Sequence, residues 1–522
     1  MGFLKRAVRL HRSYDRDEKE AMIPSFFDKP SQASLISTVP LSPTKFYTMP
    51  AAPDPNVDPV AYLRSIHSVR DRSKVIMRKA EDRQLNHFDV DYSKFESTAQ
   101  YIVSIIKRDY APDYHKIPPH GRWQHFDVGG RPRINQLLQS WPSTVDALER
   151  TRRLLDLFVI SVLLDAGSGT RWSYKSKESG KVFARSEGLA VASLEMFKAG
   201  TFSSDDEQPF KVDADGLRRI TPAVLAKGMQ HTDENPLAGL DGRAGLLIRL
   251  ADALQNKTFF GPDCRPGNML DYLLTHHTTQ ASSVPIIELT TLWTVLTDGF
   301  GPIWPESRTT FNGVSLGDAW PCSALPHEPP AKPWEAIAPF HKLTQWMCYS
   351  LMVPMTNVLN AQFNGTELLT GLPEYRNGGL LIDTGLLVLK PEDLQRGVEK
   401  YRDNAQIKGQ PSVEVVPLFA ADDDVIVEWR ALTVGFLDLL LDAVNKNLGL
   451  EDEQKLSLAQ MLEAGSWKVS GAEIGVKIVP PPASTYMADV KLFYQGGREI
   501  AEVSRPNTRE PPIMIISDGT VF

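Results

Sequence analysis

The chain has 522 residues, 42% of them hydrophobic and 23% charged, with a formal net charge of −7. That composition is ordinary for a globular protein and too acidic for one that grips nucleic acid through a basic surface. No apolar run reaches the roughly 18 residues of a membrane span, and Cys264, Cys322 and Cys348 are too scattered for a zinc site or a disulfide framework, which suits a reducing, cytoplasmic setting.

Residues 1–55 scatter Pro, Ser and Asp without a period and read as a poorly ordered arm. A helical catalytic body is expected over 56–479, with the charged stretch 390–427 as an insertion. A C-terminal arm follows over 480–522, its last residues, Asp518 to Phe522, docking on the body. Within Pro59–Lys79, Val60, Leu63, Ile66 and Val69 recur at helical spacing; Phe95, Ile102, Ile105 and Ile106 do the same within Tyr92–Arg108. Residues 135–165 read as two helices, the second with Pro142 at its first position. It ends near Asp165, because Gly167 and Gly169 supply the left-handed backbone of a helix stop. Trp172 to Arg185 alternates around Lys-Glu-Ser-Gly as a hairpin would. Ser186 then caps a helix that stops at Gly200. A helix from Asp213 or Asp215 through Leu225 comes next. Further helices are expected over Gly242–Leu254, Met269–His276, Pro285–Leu296, Pro339–Asn360 and Glu428–Leu448, with a hairpin turning at Asn312-Gly313. The fold class is mainly α: one large helical domain with short β-hairpins and an arm at each end.

Candidate chemistry gathers at element ends. Asp165, Trp172, Tyr174, Arg185 and Glu187 sit where a helix, a hairpin and a second helix meet. Each alone has a plain structural reading: a solvated helix-end acid, hairpin packing, a surface ion pair. Together they describe the rim of a buried site. His120-Gly-Arg-Trp-Gln-His125, Asp318 with Trp320, His341 with Gln345 and Tyr349 at spacing four, Glu374-Tyr375-Arg376, and Asp383 repeat the mixture. Aromatic faces stack on a planar or sugar ring, arginine forks hold phosphate or carboxylate, and acids in apolar surroundings serve as acid or base. The set suits a phosphorylated sugar or nucleotide-like small molecule. There is no phosphate-binding Gly-rich loop, dinucleotide fingerprint, His-Glu-x-x-His or Gly-x-Ser-x-Gly elbow. No cofactor and no metal are expected; the adjacent His276 and His277 would point apart on a helix.

Several longer motifs carry a resemblance. Leu164-Asp-Ala-Gly-Ser-Gly-Thr-Arg-Trp, Arg185-Ser-Glu-Gly-Leu-Ala-Val-Ala-Ser, Gly299-Phe-Gly-Pro-Ile-Trp-Pro, Pro339-Phe-His-Lys-Leu-Thr-Gln-Trp, Leu369-Thr-Gly-Leu-Pro-Glu-Tyr-Arg-Asn-Gly-Gly, Glu428-Trp-Arg-Ala-Leu-Thr and the terminal Ser-Asp-Gly-Thr-Val-Phe resemble the uracil catabolism protein 4 family from about Pro59 to Phe522. That resemblance implies a cytoplasmic enzyme of a route that degrades uracil through its nucleotide and ribosylurea, in contact with other enzymes of that route. Glu374-Tyr-Arg is also similar to an Asp-Tyr-Arg segment of queuosine-salvage nucleotide glycosidases, whose mostly helical fold is related to DNA glycosylases. Together these imply hydrolysis of the N-glycosidic bond of ribosylurea or its 5-phosphate. Glu374 or Asp383, with Asp165 as the alternative, would activate water; His341 would protonate urea; Arg185 and Arg376 would hold a phosphate; Trp172 and Tyr174 would wall the pocket. Glu187, Tyr375, Gln345, Asp318 and Trp320 complete the substrate contacts. A ring-opening amidohydrolase of the same route and a non-catalytic carrier of an intermediate are the competing readings.

Overall fold

A computed structural model describes residues 51–169, 171–280, 284–326, 331–404, 415–466 and 511–516. The chain divides into two units, Met1–Met49 and Pro50–Phe522, and every described residue belongs to the second. Most of the N-terminal arm, most of the C-terminal arm and the docking of Asp518 to Phe522 lie outside the described residues.

The architecture is mainly α. Asp58 caps α1 (Pro59–Arg64), and the chain breaks at an extended Ser65 before α2 (Ile66–Glu81), so the single helix expected here is two. Strand β1 (Phe88–Val90) leads to α3 (Phe95–Tyr110), then the short α4 (Arg122–Phe126) and α5 (Arg133–Ser140). Helix α6 (Ala147–Leu163) starts at an Asp146 cap rather than at Pro142. From Leu154 to Leu163 every residue of α6 is buried, its two polar side chains there satisfied by arginines, Asp156 by Arg265 and Ser161 by Arg122, as buried polar groups require. Strands β2 (Ser173–Lys175) and β3 (Val182–Ala184) form the expected hairpin, and α7 (Arg185–Lys198) follows with Ala184, not Ser186, at its cap. The one helix expected after Asp213 is α8 (Ala214–Arg218) and α9 (Pro222–Gly228), each with its own side-chain cap.

Helices α10 (Leu240–Ala253), α11 (Lys257–Phe260) and α12 (Met269–Thr275) come next. Strand β4 (Ile286–Glu288) runs into α13 (Leu289–Gly299). The hairpin β5 (Thr310–Phe311) and β6 (Val314–Ser315) turns at Asn312-Gly313 as expected. Strands β7 (Ala319–Pro321) and β8 (Ile337–Pro339) pair antiparallel just before α14 (Lys342–Leu359). Then follow β9 (Gln362–Asn364), α15 (Tyr375–Asp383), β10 (Leu387–Leu389), α16 (Pro391–Asn404), β11 (Leu418–Ala420), α17 (Asp424–Leu448), α18 (Leu458–Met461) and β12 (Met514–Ile516).

Among the described residues every sheet is a two-stranded ribbon, and β11 and β12 pair parallel with Leu418 opposite Met514. The ribbons staple loops rather than build layers; the core belongs to the helices. Helix α14 packs along α6, and a single large apolar cluster runs through α2, α3, α6, α7, α10, α14 and α17. Among the described residues no helix is long and apolar enough to cross a membrane.

Candidate functional site

Helix α6 stops at Leu163, and the next residues turn away from its axis. Arg243 of α10, wholly buried, fixes that turn by donating to the carbonyls of Leu164, Ala166 and Gly167 at 2.5–2.7 Å. Burial pushes its guanidinium down to about 10. The turn presents Asp165 to a cavity of about 350 Å³, at the small end of ligand pockets, which run from about 300 to 1,000 Å³.

Asp165 Oδ2 pairs with Arg122 Nη1 at 2.9 Å. Among the described residues its Oδ1 has no hydrogen-bond partner, although the side chain is only 6% exposed. Arg122 also donates to Ser161 Oγ at 2.8 Å and to the Ser186 carbonyl at 3.1 Å. One guanidinium thus ties α4, α6 and α7 around the acid.

Four more walls complete the cavity. The first turn of α7 contributes Arg185, Ser186 and Leu189. The first turns of α14 contribute Lys342 and Trp346, four apart on one face. The segment before α15 contributes Leu372, Glu374 and Tyr375. Pro511 and residues Ile513–Ile515, brought in by the β11–β12 pairing, close the last side. Arg185 (φ 54°) and His341 (φ 46°) are left-handed non-glycine residues at the entries of α7 and α14. Such backbone is uncommon and persists only where packing imposes it.

Glu374 is the N-cap of α15, accepting from Arg376 N at 2.8 Å and Asn377 N at 2.6 Å. Burial raises its pKa, against the lowering influence of Arg376, those two N–H groups and Lys342. Burial lowers the pKa of Lys342, opposed by Glu374 and Asp165. Behind Trp346 lie two buried imidazoles: His120 stacks on it with ring centroids 4.7 Å apart, and His125 lies at 5.6 Å. Burial beside Arg122 holds His125 well below its ordinary pKa.

Of the residues expected from sequence, Asp165, Arg185, Glu374 and Tyr375 therefore line one cavity. Arg376 and Glu187 are buried in the first turns of α15 and α7, and both Glu187 and Glu374 act on the Arg376 guanidinium.

Others stand elsewhere. His341 is buried with Nε2 2.7 Å from the Leu63 carbonyl and its ring edge-on to Trp293, outside the cavity. Gln345 exchanges hydrogen bonds with Thr370, and Tyr349 donates to the Thr370 carbonyl. The face they share braces the 369–373 loop and stands outside the cavity at Asp165. Asp318 is a buried anchor: Arg430 holds both its oxygens at 2.8 and 2.9 Å, Trp320 donates to it at 2.7 Å, and Lys342 N at 2.9 Å. Burial opposes ionisation there, but Arg430 holds the carboxyl well below its usual range. Trp172 donates to the Met229 carbonyl and Tyr174 to Glu195, so both pack the hairpin onto the core. Asp383 ends α15, eight residues and roughly 12 Å of helix beyond Tyr375.

Comparison with known proteins places these segments in a family. Uracil catabolism protein 4 of Lachancea kluyveri is 42% identical over 475 residues, covering 89% of this chain and 99% of that protein. Protein urg3 of Schizosaccharomyces pombe is 40% identical over 468 residues, 90% of this chain and all of that one. A family described as "Protein of unknown function (DUF1688)" matches residues 62–485 and 493–522.

The chain belongs to the uracil catabolism protein 4 family. All the segments that wall the cavity fall inside the family match. Lys342 and Trp346 were missed from sequence. The signal that could have found them was their spacing of four immediately after Phe340-His341, one position along from the face that was singled out. The wall from Pro511 to Ile515 carried no signal beyond its apolar character.

Proposed function

We propose that this protein acts in uracil catabolism by hydrolysing the N-glycosidic bond of ribosylurea or its 5-phosphate. The name of the Lachancea kluyveri relative supports the pathway. The observation that carries the reaction is Asp165: a carboxylate with one oxygen pinned by Arg122 and the other open, in a cavity it shares with Glu374.

Two carboxyl groups in unlike surroundings suit the two tasks of glycoside hydrolysis. Asp165, salt-bridged to Arg122, accepts a proton from water through Oδ1. Glu374, its pKa raised by burial, protonates the departing urea nitrogen. The C1–N bond breaks toward an oxocarbenium-like ribosyl group, water oxygen bonds to C1, and urea and the ribose compound leave. The ribosyl cation would pass between two acids, whose negative charge stabilises it. His341 takes no part, since its ring is turned away.

The test is incubation of the purified protein with ribosylurea and with its 5-phosphate, with urea quantified. Urea release above the blank supports the reading. Binding of either compound without turnover supports the carrier reading instead.

A further inference from the structure

Four arginines near the cavity have a visible charge or carbonyl partner. Arg122 answers Asp165, Arg376 lies in the field of Glu374 and Glu187, Arg243 is used on three carbonyls, and Arg430 holds Asp318. Lys342 differs. It lines the cavity, is partly exposed there, and makes no ion pair among the described residues. The charges that act on it are Glu374, Asp165, Arg430 and Asp318, and two of those acids are already bound to arginines.

On the reading that the cavity takes a ribosyl compound, we propose that Lys342 anchors a phosphomonoester, so that the substrate is the 5-phosphate and not the free ribosyl compound. The ammonium is a compact point charge on a flexible stem, the form in which lysine holds phosphate. It stands at the first position of the 18-residue α14, and its backbone N–H, held by Asp318 Oδ2 at 2.9 Å, fixes where the ammonium stem starts. Arg185 supplies a second cation from the first turn of α7. The open Oδ1 of Asp165 asks for a hydrogen-bond donor. A ligand with hydroxyl and N–H donors at one end and a dianion at the other satisfies both walls. Burial lowers the lysine's pKa; a phosphate beside it would restore the charged form.

The probes are ribose 5-phosphate and ribose, titrated by calorimetry into wild type, Lys342→Met, Lys342→Arg and Asp165→Asn. Wild type is expected to bind ribose 5-phosphate more than about tenfold tighter than ribose, the scale of one charge-assisted contact. Lys342→Met should cut that difference by about tenfold, and Lys342→Arg should restore part of it. Asp165→Asn should keep the phosphate preference in calorimetry while losing urea release from ribosylurea and its 5-phosphate in a separate assay, so that failure of the hydrolysis reading is told apart from failure of the anchor. Equal binding of the two probes by wild type overturns the proposal, even if Lys342→Met does not fold. An undiminished phosphate preference in a folded Lys342→Met protein overturns it too.

Discussion

Arg122 Nη1 lies 2.9 Å from Asp165 Oδ2, and both side chains are almost wholly withdrawn from solvent. The pair leaves Asp165 Oδ1 open. A carboxylate so held has a fixed orientation without being fully engaged. Asp165→Asn keeps the shape and removes the charge. Urea release should fall by about 10²–10⁴-fold, the range for loss of a positioned acid–base group. Near-UV circular dichroism should be unchanged. Full activity in a folded variant would exclude Asp165 from the reaction.

Glu374 is expected to act as an acid, and the sign of its pH dependence follows. The carboxyl must carry a proton, so activity falls as pH rises through its pKa in the protein. Burial places that pKa above its ordinary value. The alkaline limb of the rate profile should therefore lie above the usual glutamate range near pH 4.3. Glu374→Gln keeps an oxygen for the backbone N–H groups that cap α15 but carries no transferable proton. It should flatten that limb and slow the reaction by about 10²-fold or more. A wild-type pH profile retained by the variant would contradict the assignment.

Asp318 and Arg430 are paired through both oxygens in the interior. The same carboxylate accepts from Lys342 N, so the start of α14, and with it the lysine in the cavity, is tied to α17. Arg430→Met leaves a buried acid without its counter-charge. Removing one member of such a pair costs about 3–5 kcal/mol. Urea denaturation should show a midpoint shift of that size with an unchanged slope. A loss below about 1 kcal/mol would mean that the anchor is dispensable.

His87 bridges α16 and α17. Its Nδ1 lies 2.8 Å from Asp393 and its Nε2 2.9 Å from Asp424. Burial alone would lower its pKa, but the hydrogen bonds to Asp424 and Asp393 and the field of Glu428 raise it to about 9. The folded value exceeds the unfolded one, near 6.5. The stabilisation is therefore complete below about pH 6.5 and disappears as pH climbs through about 9. Melting temperatures of wild type and His87→Gln should differ most in mild acid and converge in alkali. A constant gap across that range would refute the protonated bridge.

Much of this body was legible in the chain. Apolar spacing marked the helices, and acids at their starts marked the entries, as Asp213 does for α8. Asp165, Arg185, Glu374 and Tyr375 were visible because they sit at element ends, where polar groups are out of register with the apolar stripe. The face of α14 was the instructive failure. His341, Gln345 and Tyr349 do share a side, but periodicity says which residues travel together and not what they meet. That side met Thr370 and Leu63, while Lys342 and Trp346 met the cavity. Trp172 and Tyr174 misled for a related reason: an aromatic with a polar tip satisfies a core as readily as a ligand.

The parallel pairing of Leu418–Ala420 with Met514–Ile516 has a temporal consequence. A nascent polypeptide already has Asp165, Arg185, Lys342 and Glu374 in hand long before Ile513 leaves the ribosome, yet it lacks the side of the hole that these late residues supply. Ligand recognition should thus wait until Ile513 has been translated. A protease nick that frees the stretch around Ile513 should switch it off again while the helical body stays folded.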